Sequence, residues 1–299
     1  MRLCLIHPDI ELLTAYLPEN AGRQVSSLHH GFIGEERIVF TSNFDATALD
    51  AAFIFRPIYS PSDWQKLMAD NPGLKLIVFP GAEEVTEALQ TDPVYGLSEM
   101  NRKPLVRGAR IAIVPDTIAS VALVALYPLA AHLMLPPELE IKVKAPADVA
   151  SAAHIRTAGK EISENLSKVQ SSFAGGVRCV YSGSEDSERS MRLSIELPFD
   201  ASLDETFRIY DSIYDDHRFT FMVSHPVSTA EVEGTHKVIL SFSKPEAGCL
   251  RIEAVADPRM RGGASEGIHL LNLLFSLDEK TGLNLKAGRW SGSLRKQTE

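Results

Sequence analysis

Residues 113–135, IVPDTIASVALVALYPLAAHLML, contain the longest apolar run in the chain, and the sequence pattern differs on its two sides. The run begins at Thr117, directly after Asp116, and aspartate is a preferred residue at the cap of a helix. We therefore predict a buried helix that starts at Thr117. The run has about the minimum length for a membrane span, but its alanines, Pro128 and His132 favour a helix inside a globular protein. We predict no membrane segment.

Before this helix, short apolar stretches alternate with amphipathic ones, which is typical of a parallel α/β sheet. The predicted strands are IELLTAYL (10–17), RIVFTS (37–42), ALDAAFIFRP (48–57), GLKLIVFPG (73–81) and ARIAIVPD (109–116). The stretch SPSDWQKLMADN (60–71) is predicted to form a helix with Ser62 as its cap.

After the apolar helix, apolar and polar residues alternate along the strands, as in a sheet with one buried face. The predicted strands are LEIKVKAPA (139–147), RSMRLSIELPF (189–199), THKVILSFS (235–243) and CLRIEAVADP (249–258). Helices are predicted over 202–216 and 262–283, and the first of them begins with a capping box of Ser202 and Glu205. Residues 171–190 are predicted to be a loop with at most one short strand. We predict two domains, 1–116 with a returning C-terminal helix in 262–299, and an α+β domain of 117–261.

The composition of the chain argues against several classes of partner and site. The net charge of −9 and the lack of a basic stripe exclude nucleic acid as the main partner. Cys4, Cys179 and Cys249 lie far apart, which predicts neither disulfides nor a zinc site and suits a reducing cytoplasm. The N-terminus has no pattern of a secretory signal peptide. We therefore predict a cytoplasmic protein without a metal site.

Four stretches carry a resemblance to a known family. They are HPDIELLTAYLPENAGRQVSSLHHGFIG (7–34), DPVYGLSEMNRKPLVRGARIAIVPD (92–116), VSTAEVEGTHKVIL (227–240) and DPRMRGGASEGIHLLNLLFSLDEKTGL (257–283). In this order they resemble the N-acetyl-gamma-glutamyl-phosphate reductases, NADP-dependent acyl-phosphate reductases of arginine biosynthesis. The resemblance implies a Rossmann-type parallel sheet joined to a dimerisation domain of the glyceraldehyde-phosphate-dehydrogenase kind. It also implies four functional parts: a glycine-rich cofactor turn, a catalytic cysteine, an acid/base histidine and an anion site.

Three of these parts are missing from the expected places. The chain begins with a stretch similar to the tail of the family's first helix. The sheet is therefore predicted to be N-terminally truncated and to lack the glycine-rich turn. Gly262 and Gly263 are the candidates for a vestigial contact to the cofactor. Thr117 occupies the position of the family's cysteine, and Asp116 occupies that of a glycine. A threonine hydroxyl cannot form the thioester from which hydride transfer proceeds. The stretch that matches the family's histidine motif, 171–190, contains no histidine.

The remaining candidates are arginines and histidines. Arg102 and Arg261 stand in retained stretches and are the candidates for substrate binding, although arginines at such places are more often structural ion-pair partners. His29 and His30 are expected in a surface loop, and His269 in a helical core or interface.

We therefore predict a reductase-like protein without catalytic activity and without a bound cofactor. Its expected role is binding, regulation or assembly, as a homo-oligomer or as the partner of an intact reductase. The alternative is an active NADP-dependent acyl-phosphate or semialdehyde oxidoreductase of arginine biosynthesis or a related pathway. A third possibility is a misplaced start codon, in which case an upstream segment supplies the cofactor turn but not the missing nucleophile.

Overall fold

The structure is a computed structural model that describes residues 1–34, 37–89, 92–185, 187 and 189–288. Part of two predictions lies outside these residues, namely positions 186 and 188 of the predicted loop and positions 289–299 of the returning C-terminal segment.

Eight α-helices are described in this part of the chain. They are α1 (Arg2–Leu5), α2 (Pro61–Asp70), α3 (Glu84–Leu89), α4 (Ser98–Val106), α5 (Thr117–Ala131), α6 (Ala152–Val169), α7 (Leu203–Tyr214) and α8 (Ser265–Leu274). None of the helices in the described ranges is long and apolar enough to cross a membrane.

The strands form two large sheets and one small one. They are β1 (Ala15–Tyr16), β2 (Phe40–Thr41), β3 (Ala51–Ile54), β4 (Lys75–Val78), β5 (Val94–Tyr95), β6 (Ile111–Ile113), β7 (Leu139–Lys144), β8 (Val177–Gly183), β9 (Met191–Pro198), β10 (Thr220–Val223), β11 (Val238–Ser243) and β12 (Cys249–Ala256). The four-stranded sheet has the order β3-β4-β6-β5, the six-stranded sheet has the order β10-β11-β12-β9-β7-β8, and β1 pairs with β2.

The four-stranded sheet is parallel throughout, as the alternating pattern predicts. Helix α8 returns to it from the far end of the sequence, and Leu270 and Leu274 pack with Ile77 and Ala112 in one buried cluster. The six-stranded sheet is mixed, and the apolar helix α5 lies buried against it together with α6 and α7. The division into domains at residue 116 remains a prediction.

Several local predictions need correction. The stretch 10–17 pairs as a strand only over Ala15–Tyr16. Ser60, not Ser62, caps α2, because Pro61 suits the first helical position, where no backbone N–H is needed. The predicted loop 171–190 contains the seven-residue strand β8, which lies at the edge of its sheet and is largely solvent-accessible. An edge strand with little burial carries little of the alternating pattern that reveals a strand.

Helix α6 had no counterpart among the sequence predictions. It is the longest described helix, with 18 residues, and Ser151 caps it by accepting a hydrogen bond from the backbone N–H of His154. This helix packs against α5 and brings His154 and Glu161 to the start of α5.

Candidate functional site

The candidate site is built around the start of α5. The side chain of Asp116, which is 4% exposed, caps the helix as the sequence predicts. One carboxylate oxygen accepts hydrogen bonds from the backbone N–H groups of Ile118, at 2.8 Å, and Ala119, at 3.2 Å. The positive end of a helix attracts anions. At α5 this end is occupied by a carboxylate of the protein itself.

His154 of α6 holds the second oxygen of this carboxylate. Its Nε2 lies 2.5 Å from Asp116 Oδ2, and the imidazole is partly exposed. The hydrogen bond to Asp116 raises the pKa of His154, and backbone groups at Asp148 and Val149 act on the ring in the same direction. The imidazole is therefore engaged by Asp116 and by the backbone rather than by Thr117.

Glu161 lies seven residues after His154 on α6, which places the two on the same side of the helix. Its Oε1 accepts hydrogen bonds from the Tyr95 hydroxyl, at 2.6 Å, and from the backbone N–H of Asp116, at 3.1 Å. Burial, together with the nearby charge of Asp116, raises the pKa of Glu161 to about 7. The start of α5 is thus lined by the buried carboxylate of Asp116 and the half-buried carboxyl group of Glu161.

Thr117 and Gly262 touch at this point. Gly262 has a φ of +66°, and a Cβ on it would lie 2.4 Å from Thr117 Cα and 2.9 Å from Thr117 Oγ1. Only glycine fits such a place without strain. The structure therefore gives Gly262 a packing role against the helix start, whereas Gly263 has ordinary space around it.

Arg261, one of the two predicted substrate-binding arginines, is fully buried. Its Nη2 lies 2.9 Å from both carboxylate oxygens of Glu99, and its Nε donates to Ser120 Oγ at 2.9 Å. Burial alone would raise the pKa of Glu99, but the guanidinium charge, together with the charges of His217 and His269 and a hydrogen bond from Thr220, outweighs burial and lowers this pKa to about 2. A further ion pair joins Arg261 to Glu266 at 3.2 Å. Arg261 is thus a structural ion-pair centre.

Arg102, the other predicted arginine, lies nearer the surface on α4. It forms ion pairs with Asp216, at 2.7 Å, and with Glu279, at 2.5 Å. The two arginines do not converge on one open cavity. They are instead joined through a chain of buried groups that runs from Arg261 over His236 and His269 to Glu279.

This buried chain of groups was not predicted from the sequence. His269 was expected in a helical core or interface, which agrees with its exposure of 1%, and no role was predicted for His236, which is fully buried. The signal that could have revealed part of it is the spacing of Glu266 and His269, since residues three apart share a helix face. No local pattern places His236 beside them, because it lies in the turn before β11.

Comparison with known proteins identifies relatives of similar sequence. No family model matches the chain. The N-acetyl-gamma-glutamyl-phosphate reductase of Parabacteroides distasonis is 29% identical over 307 residues, which covers 96% of this chain and 94% of that protein. The proteins of the same name from Phocaeicola vulgatus and Bacteroides thetaiotaomicron are 24% and 25% identical with the same coverage. The chain is related to the N-acetyl-gamma-glutamyl-phosphate reductases.

Solved structures confirm the fold of this reductase-like chain. Aspartate semialdehyde dehydrogenase II from Vibrio cholerae superposes with a TM-score of 0.62 at 12% identity, over 89% of this chain and 91% of that one. A probable aspartate-semialdehyde dehydrogenase from Pseudomonas aeruginosa gives 0.62 at 14% identity, over 89% and 90%. The predicted combination of a Rossmann-type parallel sheet with a glyceraldehyde-phosphate-dehydrogenase-like domain is therefore correct.

None of the three cysteines occupies position 117 at the start of α5, although Cys179 lies near enough to feel the charge of Asp116. Cys4 is buried beside α8, and Cys249 is half-buried on β12. Cys179 lies on β8, and burial together with the charge of Asp116 raises the pKa of its thiol to about 12. A thiol acts as a nucleophile only as the thiolate. Its environment therefore keeps Cys179 protonated near neutral pH.

In the described residues, two glycines that follow parallel strands, Gly81 and Gly96, have backbone N–H groups that are already hydrogen-bonded. A pyrophosphate needs free backbone N–H groups in a glycine-rich turn between a strand and a helix. The turn after β4 contains Gly81, with a φ of +92°, but its N–H donates to both carboxylate oxygens of Glu83, at 2.9 and 3.0 Å. An anion of the protein thus already holds this amide. A second glycine, Gly96, lies between the parallel strand β5 and α4, and its N–H donates to the backbone carbonyl of Ile113 at 2.8 Å.

Proposed function

We propose that the chain is a reductase-like protein that does not reduce acyl phosphates and that acts by binding or assembly. The observation that carries this proposal is the start of α5, where the carboxylate of Asp116 holds the backbone N–H groups of Ile118 and Ala119 and where Thr117 follows. The related enzymes, by resemblance, need a cysteine thiolate at this place.

Charge supports the same conclusion. An acyl phosphate is an anion, and at the start of α5 it would meet Asp116 and, above a pH of about 7, an ionised Glu161. Like charges at short distance disfavour binding. A threonine hydroxyl beside these groups would need a strong base, and His154 is engaged by Asp116 and the backbone.

The assembly role has a concrete form. We propose that the chain forms a homo-oligomer or joins an intact reductase in a mixed oligomer, through the half that contains the six-stranded sheet, in the cytoplasm. Support comes from the similarity to reductases over 96% of the chain, since a relative that keeps the architecture keeps the shape with which subunits of that architecture associate. The oligomeric state is part of the proposal.

The test is an activity and binding assay of the purified full chain. We expect no oxidation of NADPH with N-acetyl-gamma-glutamyl phosphate and no saturable NADPH binding by calorimetry, with the Parabacteroides distasonis protein as the positive control. Native mass spectrometry of a mixture of the two proteins should give mixed oligomers. Turnover above background by the purified chain would refute the first half of the proposal, and exclusive self-association of each protein would refute the mixed oligomer.

One observation favours a second candidate, an active NADP-dependent acyl-phosphate or semialdehyde oxidoreductase. The proteins similar to this chain are named reductases, and they match it over nearly their whole length. This candidate requires a nucleophile other than a cysteine at the start of α5 and a cofactor site that does not depend on the occupied N–H groups of Gly81 and Gly96. Saturable NADPH binding together with turnover would establish it.

A further inference from the structure

The buried groups His236, Glu266 and His269 form a cluster that the proposed function does not use. Glu266 and His269 lie on the same face of α8, and His236 faces them from the turn before β11. The exposed fractions of the three are 0%, 0% and 1%. Phe219 covers the two imidazoles with its ring, at centroid distances of 4.7 and 5.1 Å.

One carboxylate oxygen of this cluster has no partner. Glu266 Oε1 is fully buried and makes no hydrogen bond with any of the described residues. It faces His236 Nε2 and His269 Nδ1, each 3.9 Å away, and those two nitrogens are 3.2 Å apart. A buried oxygen without a partner is costly, and in a native protein such an atom calls for an explanation.

The three atoms are spaced as ligands of one ion. A point equidistant from atoms separated by 3.2, 3.9 and 3.9 Å lies about 2.1 Å from each of them, which equals the length of zinc–nitrogen and zinc–oxygen bonds. Two imidazoles and a carboxylate are a ligand set that zinc and neighbouring transition metals bind.

The second ring nitrogen of each histidine also has an oxygen partner. His236 Nδ1 lies 2.8 Å from Ser265 Oγ, and His269 Nε2 lies 2.9 Å from Glu279 Oε2. Metal-binding histidines commonly donate their second ring N–H to an oxygen, and this bond fixes the tautomer and the direction of the ring. Here both rings have such an oxygen, and the other nitrogen of each faces Glu266.

From this geometry we propose that His236, Glu266 and His269 bind one divalent transition-metal ion of the zinc type. The competing neighbour is Arg261, whose Nη1 lies 3.1 Å from His236 Nε2. A bound ion would replace this single hydrogen bond, while Arg261 keeps Glu99 and Ser120 as partners.

The charges around the cluster are compatible with an added cation. The buried carboxylates of Glu99 and Glu266 pair with Arg261, which carries one positive charge. The third buried carboxylate, Glu279, pairs with His269 and, from the surface side, with Arg102. The remaining deficit can be met by a metal ion or by a proton shared between the imidazoles. The experiment therefore has to distinguish a bound metal ion from a shared proton.

The test is the metal content of the full chain, expressed with added Zn²⁺ and purified without chelators. His29 and His30 are exposed and adjacent, so the His29→Gln/His30→Gln variant serves as the background that removes adventitious surface binding. We expect one Zn²⁺ per chain in this background. Glu266→Gln and His269→Gln, each added to it, should lose the ion, whereas the exposed control His225→Gln should keep it.

A second measurement remains informative if the buried substitutions prevent folding. Cobalt loaded into the otherwise unchanged chain should give the visible absorption of a low-coordinate nitrogen–oxygen site and should broaden the ring signals of two histidines in NMR spectra. It should also raise the thermal midpoint, because an ion that binds only the folded state stabilises it. Absence of a stoichiometric ion from the background protein, or its retention in Glu266→Gln, would overturn the proposal in favour of the shared proton.

Discussion

The most consequential side chain at the start of α5 is Asp116, because it fills the place where an anionic substrate or a thiolate would be stabilised. Its carboxylate accepts hydrogen bonds from two backbone N–H groups and pairs with His154. Thr117 next to it is half-buried and contacts Gly262. The identity of residue 117 alone therefore does not decide the chemistry at this position.

We predict that Thr117→Cys does not produce acyl-phosphate reduction. The new thiol would lie beside the carboxylate of Asp116, which disfavours the thiolate, and the helix N–H groups that stabilise a thiolate are already occupied. The pH dependence of iodoacetamide labelling measures this. The matched control is Asp116→Gly/Thr117→Cys, in which the thiol should become reactive at lower pH. Labelling of the two variants at the same pH, or turnover by Thr117→Cys, would contradict the prediction.

A pH effect is expected from Glu161. Burial raises its pKa from 4.5 to about 7, with Asp116 and Glu83 adding negative charge and Tyr95 donating a hydrogen bond that acts in the opposite direction. Because the folded-state pKa is the higher one, the stability that this group contributes is complete below pH 4.5 and is lost as the pH rises through about 7.

Glu161→Gln keeps an oxygen for Tyr95 and Asp116 but cannot ionise. Relative to the unmodified protein, its free energy of unfolding should therefore increase between pH 5 and pH 8, by at most about 3 kcal/mol. Urea unfolding at several pH values measures the difference. Glu164→Gln, an exposed position on the same helix, is the control and should run parallel to the unmodified protein. If the free energy of unfolding of Glu161→Gln also ran parallel to that of the unmodified protein over this pH range, the carboxyl group of Glu161 would have an ordinary pKa.

Helix α5 depends on a close approach by the turn before α8. Residues 117 to 131 form the helix, and nearly all of its side chains are buried against the six-stranded sheet, so the helix has little freedom to move. Gly262 contacts the first residue of this helix through its own backbone. The turn is therefore held at a distance that no larger residue permits.

We predict that Gly262→Ala destabilises the protein by more than about 2 kcal/mol, because it adds a methyl group 2.4 Å from Thr117 Cα and requires a positive φ. Gly176→Ala is the control, since a Cβ there meets open space and its φ is not positive. Denaturant unfolding of both variants gives the comparison. Equal stability of the two would mean that the turn moves away from α5 without cost.

Across the molecule, Arg261 connects parts of the chain that are far apart in sequence. It joins Glu99 on α4, Ser120 on α5 and Glu266 on α8, and all four side chains are buried. Breaking a buried ion pair leaves an uncompensated charge in the interior, which is among the most damaging single changes. The network thus couples the packing of the helices on both large sheets.

We predict that Arg261→Met lowers the free energy of unfolding by about 3–5 kcal/mol, since Glu99 and Glu266 lose their buried partner. Arg102→Met is the matched control, because this arginine also pairs with carboxylates but is 37% exposed, and it should cost less than about 1 kcal/mol. Chemical denaturation measures both. A loss below 1 kcal/mol for Arg261→Met would mean that the buried carboxylates take up protons at little cost.

Much of the architecture follows from local patterns along the sequence. The apolar run after Asp116 predicts α5 and its cap, and the capping box at Ser202 and Glu205 predicts the start of α7. Both depend on neighbours within a few residues. The edge strand β8 was not predicted, because its partial exposure weakens the alternation of apolar and polar residues. The helix α6 was not predicted either, because its amphipathic pattern was not recognised.

The sequence by itself determined the relationship to the reductases, the cap at Asp116 and the replacement of the expected cysteine by Thr117. Only the tertiary structure decided what surrounds them. It brings His154 and Glu161 to Asp116 and joins His236 to Glu266 and His269. The physical reason is that these contacts join residues 30 or more positions apart, whose approach is set by the packing of helices on sheets and leaves no trace in local spacing.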